Sequence, residues 1–312
     1  ETSKNKEKLI NEAFKKAFDR LIKRLLLEED YKRLSTTNLI QVKKLISHYQ
    51  IINQNQKEKN NSIINFNIFF DKRRVHSFFY IKDILYSDVI NTEVILFPLL
   101  KKKGQYYIYT QNYFYDNWNN KRNDDLIQYT LPTENIENIQ KITLNQNEIY
   151  KLDVSDFFKE YDIDNIVFAN IVINKDNSKI FLNTRIEGKK INKTLSIKRE
   201  RDSKEITFYE KIIFEIDNVV KDLIKSQNLI DVRTPSFLNV EIKVNNKTNL
   251  VDFDNRLKKI DLIDSFYVQK LNKDYIFVKI KYLGKINKII KKLKDQNINL
   301  KMIAGQWKLS II

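Results

Sequence analysis

Between Phe237 and Ile312 apolar and polar residues alternate in four separate runs, and no other stretch restricts the fold as tightly. The runs are Leu238, Val240, Ile242, Val244; Ile276, Val278, Ile280, Tyr282; Ile298, Leu300, Met302; and Trp307, Leu309, Ile311. Alternation puts every second side chain on one face, so each run predicts a strand with one buried side. Two stripes of helical period interrupt them. Phe253, Leu257 and Ile260 define one helix, and Ile286, Ile289, Ile290 and Leu293, after Gly284, define the other. The segment from 235 to 312 is therefore expected to be a β-α-β-β-α-β-β unit, a small α+β sandwich.

Upstream, Ile10, Phe14, Ala17, Phe18, Leu21 and Leu25 recur every three or four residues with Lys and Arg between them, the pattern of a long amphipathic helix over 4 to 27. A second helix with Leu39, Val42, Leu45 and Ile46 inside is capped within Ser35 to Asn38. The period then falls to two at Tyr49 and Ile51 and again from Ile64 to Phe70, joined by a polar loop from Asn53 to Asn61. Asp71 caps a third helix, which makes residues 1–90 an α-α-β-β-α unit.

The middle segment, 91–234, opens on Thr92 to Leu100, a continuous apolar run that predicts a strand buried on both faces. Pro98 is expected at an edge or exit of that strand. Tyr106 to Tyr109 extends, Asn112 to Lys121 is an aromatic helix, and another strand ends at Pro132. Three strands between Asn165 and Lys198 turn at Asn174–Asn177 and Glu187–Lys189. A long helix over 204 to 226, with Ile206, Tyr209, Ile213, Ile216, Val220 and Leu223 in its stripe, closes the segment. The fold class is thus α+β, with two or three small packed α/β units and mixed or antiparallel sheets.

Composition narrows the chemistry. The chain has 312 residues, no cysteine, two histidines and four glycines. Disulfides, thiolate nucleophiles and Cys-ligated metals are excluded, and a glycine-rich nucleotide cradle cannot be written. The expected cofactor set is empty, with no catalytic residue assigned. A net charge of +16 suggests a polyanionic partner, but the basic residues are scattered among acids in a chain rich in Asn, Ile and Lys. Codons drifting towards A and T account for that charge, so nucleic acid is disfavoured as a partner. No apolar run reaches the roughly 18 residues of a membrane span. Glu1, followed by Thr-Ser-Lys and a helix, reads as the mature end left by signal-peptide removal or, alternatively, as an artificially trimmed end.

The helix Ala13-x-x-x-Ala17-x-x-x-Leu21-Ile22-x-Arg24-Leu25, the Ile-Leu-Phe-Pro strand at 95–98, Asn117-Trp118, Tyr282-Leu283-Gly284 and Gln306-Trp307-Lys308-Leu309 resemble a largely proteobacterial family of envelope proteins known as a domain of unknown function. The middle segment is also similar in outline to the α/β domain of the TolB amino terminus and of curli and flagellar accessory proteins. The resemblance implies an exported protein, periplasmic or envelope-associated, and supplies no site residues.

Candidate sites are few. Arg73, Arg74 and His76 suggest a phosphate grip, set against a solvated polar face; His48 suits a surface or capping role. The pairs Asp162 and Asp164, Asp124 and Asp125, and Asp252 and Asp254 are candidates for acid/base work or calcium, although no loop carries the glycine a calcium site needs, and Asp252 and Asp254 suit helix caps. Tyr106, Tyr107, Tyr113 and Trp118, beside Lys101, Lys102 and Lys103, form the expected partner-contact surface, because adjacent Tyr106 and Tyr107 must face opposite sides of a strand. The expected function is a non-enzymatic envelope assembly or interaction module meeting protein partners. The alternative is a basic protein that binds nucleic acid or an anionic surface.

Overall fold

The long amphipathic stripe forms helix α1 (Thr2–Leu25) in a computed structural model that describes residues 2–53, 64–89, 91–120, 126–152, 154–243 and 250–311. Its buried row is Phe14 and Phe18 followed by Ile22 and Leu26, which stand deeper than the expected Leu21 and Leu25. Neighbours four apart form a ridge that winds slowly about the axis, which carries the row off Leu21 and Leu25. After α1 the chain makes a short helix that the periodicity does not mark, α2 (Glu28–Leu34), with Glu28, Glu29 and Asp30 in its first turn, where carboxylates suit the helix dipole. Asn38 caps α3 (Leu39–Leu45) by accepting from the Gln41 amide. The antiparallel pair β1 (Ile46–Asn53) and β2 (Ile64–Phe70) follows, and the joining loop lies outside the described residues. Asp71 accepts from the Arg74 amide to cap α4 (Lys72–Lys82), and β3 (Tyr86–Ser87) comes next.

The middle segment contains β4 (Thr92–Lys102), β5 (Gln105–Tyr107), α5 (Tyr113–Asn117), β6 (Ile127–Thr130), α6 (Ile136–Leu144), two 3-10 turns at Ile149–Lys151 and Val154–Phe158, β7 (Ile166–Ile173), β8 (Asn177–Ile186), β9 (Lys189–Lys198) and α7 (Glu205–Ser226). The sheet order is β5-β4-β7-β8-β9, with β6 also on β4. β4 runs parallel to β6 and β7, and the other pairs are antiparallel. As its unbroken apolar run requires, β4 is covered twice. Val94, Leu96 and Leu100 meet α7 and the α5 aromatics on one face, while Ile95, Phe97 and Leu99 meet Ile142, Phe157 and Phe158 on the other.

Pro98 corrects its expectation. It sits mid-strand opposite Ala169, in the centre of the sheet. On the other side of β4 the pairing with β6 ends at Ile95 and that with β5 begins at Leu100, so a residue without an amide proton falls where no ladder bond is made. Along α7 the stripe is also shifted: Phe208, Ile212 and Ile224 are buried and Ile206 is 58% exposed.

The last segment carries β10 (Leu229–Ile230), paired with β3, then β11 (Ser236–Lys243), α8 (Leu250–Lys258), β12 (Ile263–Leu271), β13 (Tyr275–Tyr282), α9 (Ile286–Asp295), β14 (Ile298–Ile303) and β15 (Gln306–Ile311). From β11 onward this is the β-α-β-β-α-β-β order read from the sequence. The five strands lie in the order β12-β13-β11-β15-β14, and β11 is parallel to β15. Leu238, Val240, Ile242, Val278 and Ile280 face Phe253, Leu257, Ile289 and Leu293 in one core that also holds Phe14, Phe18 and Ile22. The α+β class is thus realised in two compact units, one made of Glu1–Ser87 with Asn228–Ile312 and the other of Asp88–Gln227. The first and last segments expected from the sequence, 1–90 and 235–312, share one unit, and its cuts fall close to their boundaries.

Candidate binding surfaces

The expected aromatic and lysine set divides. Tyr106 packs toward one core of the middle unit and Tyr107 toward the other, and both are half-buried. They do point to opposite faces, but the sheet is covered on both sides, so opposite faces do not force either ring into solvent. Tyr113 is half-buried with its ring 5.1 Å from Tyr209, and Trp118 is 1% exposed, 5.8 Å from Tyr129. Trp118 is therefore core. The lysines are mostly engaged: Lys101 Nζ lies 4.6 Å from the Tyr106 ring centre, and Lys102 donates to Glu205 Oε1 at 2.5 Å. That hydrogen bond raises the Lys102 pKa and lowers that of Glu205. Lys103 stands exposed in the turn before Gly104, at φ 50°.

The other candidates take structural roles. Arg74 donates to the Lys44 and Ile46 carbonyls, each at 3.3 Å, so it is not held out for a phosphate. His76 is half-buried rather than on a solvated face. It lines a shallow cavity of about 350 Å³ with Ser77, Asp264 and Lys281, and its pKa is lowered chiefly by burial and then by Lys72. His48 is exposed and stacks on Phe69 at 4.4 Å. Asp252 pairs with Arg256 at 2.9 Å and Asp254 with Lys258 at 2.5 Å, both one turn apart within α8 rather than at its cap. Asp162 and Asp164 are exposed before β7, and Asp124 and Asp125 lie outside the described residues. Among the described residues no group of three or more His, Asp or Glu side chains could hold a metal ion, and no helix is long and apolar enough to cross a membrane.

Sheet edges offer a different kind of surface. At the edge of the five-stranded sheet, β12 has no strand on its outer side among the described residues. Beside that bare ladder it exposes Tyr267 (55%), Val268 (48%) and Leu271 (65%). Val268 lies opposite Val278 and Leu271 opposite Ile276, so both point to the core side of the sheet yet remain open to solvent. Periodicity alone could not reveal this, since an apolar position in a strand reads as buried wherever the covering layer ends.

The opposite treatment is seen at β9, the edge of the six-stranded sheet. Lys193 interrupts the row Ile191, Leu195, Ile197 on the face that includes Leu182, its direct cross-strand partner, and Lys193 is exposed. An inward-placed charge on an edge strand discourages a further strand from adding. No protein-family model, curated protein or solved structure matches the chain.

Proposed function

We propose that the protein is a non-catalytic, exported interaction module of the cell envelope that binds a protein partner by strand addition at β12. The observation that carries this reading is the bare outer edge of β12 with Tyr267, Val268 and Leu271 exposed beside it. A strand laid there would gain main-chain hydrogen bonds, and the exposed apolar side chains would lend it alternate anchoring sites. The envelope assignment rests on the likeness of the sequence to an exported family.

The basic alternative has less support. On the open face of the same sheet Lys281 pairs with Asp264 at 3.0 Å, Lys308 with Glu241 at 3.3 Å, and Lys279 lies 4.4 Å from the Phe237 ring centre. These cations are largely matched locally, so they add little to a field that would hold a polyanion.

The test combines fractionation of cells with a photo-crosslinking residue placed at Val268 and, as a control, at Lys193. The expected result is a discrete adduct from the envelope fraction for the β12 position and none for the β9 position. Recovery from the cytoplasm, or equal labelling at both edges, overturns the reading.

A further inference from the structure

On one face of the six-stranded sheet two cross-strand rows pass from apolar to polar, Ile95, Ile166, Arg185, Lys190 and Phe97, Phe168, Asn183, Asn192, while a third alternates as Leu99, Asn170, Phe181, Thr194. The apolar half is covered by Ile149, Val154, Phe157 and Phe158. Among the described residues this cover only borders the polar half. What results is a groove of about 320 Å³ walled by Tyr150, Leu152 and Ser155, with Asn183, Arg185 and Asn192 in its floor. A narrower recess of about 120 Å³, lined by Asn170, Phe181 and Thr194, shares Tyr150, Asn183 and Asn192 with it.

Two features of this groove are at odds with a purely structural surface. Asn170 is 8% exposed and lines the recess, yet its Oδ1 accepts no hydrogen bond. Leaving such an acceptor buried and unmet is costly. Arg185 and Lys190, in turn, stand directly opposite each other, a like-charge pairing that disfavours the sheet, and neither has an ion-pair partner among the described residues. Elsewhere in this unit Lys102 and Lys211 pair with glutamates. The couple places positive charge at the end of a polar groove.

We propose that the groove binds an acidic sugar unit of a glycan. Asparagine carboxamides donate and accept side by side, which matches the adjacent hydroxyls of a pyranose ring. The apolar face of the neighbouring sugar unit can rest on Phe181, which is 40% exposed and four residues along β8 from Arg185. Turning the Asn170 carboxamide toward the recess would let a hydroxyl supply the hydrogen bond that Oδ1, closed to solvent in the structure, lacks. The sugar's carboxylate or phosphate faces Arg185 and Lys190, where charge-assisted hydrogen bonds are strongest. A peptide is the poorer occupant, because the floor is the face of paired strands whose backbone groups are already spent within the sheet.

Isothermal titration of the full chain with trigalacturonate, maltotriose, a short single-stranded oligonucleotide and an extended peptide tests this. Trigalacturonate is expected to bind more tightly than maltotriose. Arg185→Gln, Lys190→Gln and Asn183→Ala are each expected to weaken it about tenfold. Lys190 is exposed, so Lys190→Gln gives a reading that does not depend on preserved folding, and circular dichroism checks the other two. Absence of binding by trigalacturonate, affinity unchanged in Lys190→Gln, or tighter binding of the oligonucleotide or the peptide overturns the proposal.

Discussion

The two large sheets answer the same physical problem in opposite ways. The six-stranded sheet buries both faces of its central strand and ends at β9 with a lysine set into an apolar row. The five-stranded sheet ends at β12, where Val268 and Leu271 stand on the core side yet remain largely open to solvent. One edge is guarded and the other is bare, although β12 does carry two register shifts of the kind that twist an edge away from strangers. The contrast teaches that net charge says little about where a protein will associate; what matters is which strand is left without a charge on its inner face.

The comparison can be broken most severely from within. Ile280→Ala, at a fully buried position of β13, should destabilise the unit that holds β12 by about 3 kcal/mol in chemical denaturation and remove β12 crosslinking with it. Crosslinking that survives such a loss would mean that the edge binds without its sheet. A smaller effect of opposite sign is expected in the other sheet. Asn170→Leu replaces an unsatisfied buried acceptor by an apolar group of similar size, and should raise stability by about 1 kcal/mol while weakening trigalacturonate binding. A melting temperature that fell would show that Asn170 is a structural member of the core.

Exchanging the guards should shift stability by less than about 0.5 kcal/mol and act on association instead. Val268→Lys is expected to abolish partner crosslinking through a neighbouring probe at Tyr267. Lys193→Val is expected to increase self-association in sedimentation velocity; equal sedimentation of this variant and its parent would remove the guarding role from Lys193.

The smallest effect concerns His76, in the unit of the bare edge. Burial, with Lys72, outweighs Asp264 and Asp261 and holds its pKa below the usual histidine value. The unfolded chain therefore takes up this proton at higher pH than the folded one. The stability this group supports is whole above the unfolded pKa of about 6.5 and declines as pH falls below it. His76→Asn should flatten that part of the pH profile, and an unchanged slope would show that His76 does not govern it.

Much of this architecture was legible in the residues. Alternation from Leu238 to Ile311 and the two stripes with Phe253 and Ile289 specified the C-terminal order, because a period of two or of 3.6 survives any packing. Caps were legible for a similar reason: Asn38 and Asp71 act within three residues of themselves. What escaped was set by distance. The two-residue pairing of Tyr86–Ser87 with Leu229–Ile230 is too short to carry a period. Trp118 looked like a contact residue because nothing local says that a second core closes over it. Neither the groove nor the bare edge could be read, since each is defined by where a covering layer stops.

One consequence of the chain's path concerns the order in which it is made. The row Phe14, Phe18, Ile22 belongs to the same core as β11, β13 and β14, whose residues are synthesised long after the whole middle unit. While Asp88–Gln227 already has every strand of its own sheet, the N-terminal helices, packed on each other and on β1 and β2, still lack the part of their core that comes from β11, β13 and β14. Closure over such a sequence separation is slow, and surface exposed in the interval invites misassociation. The N-terminal end of the nascent chain thus keeps part of its apolar surface open until the strands after Ser236 are made.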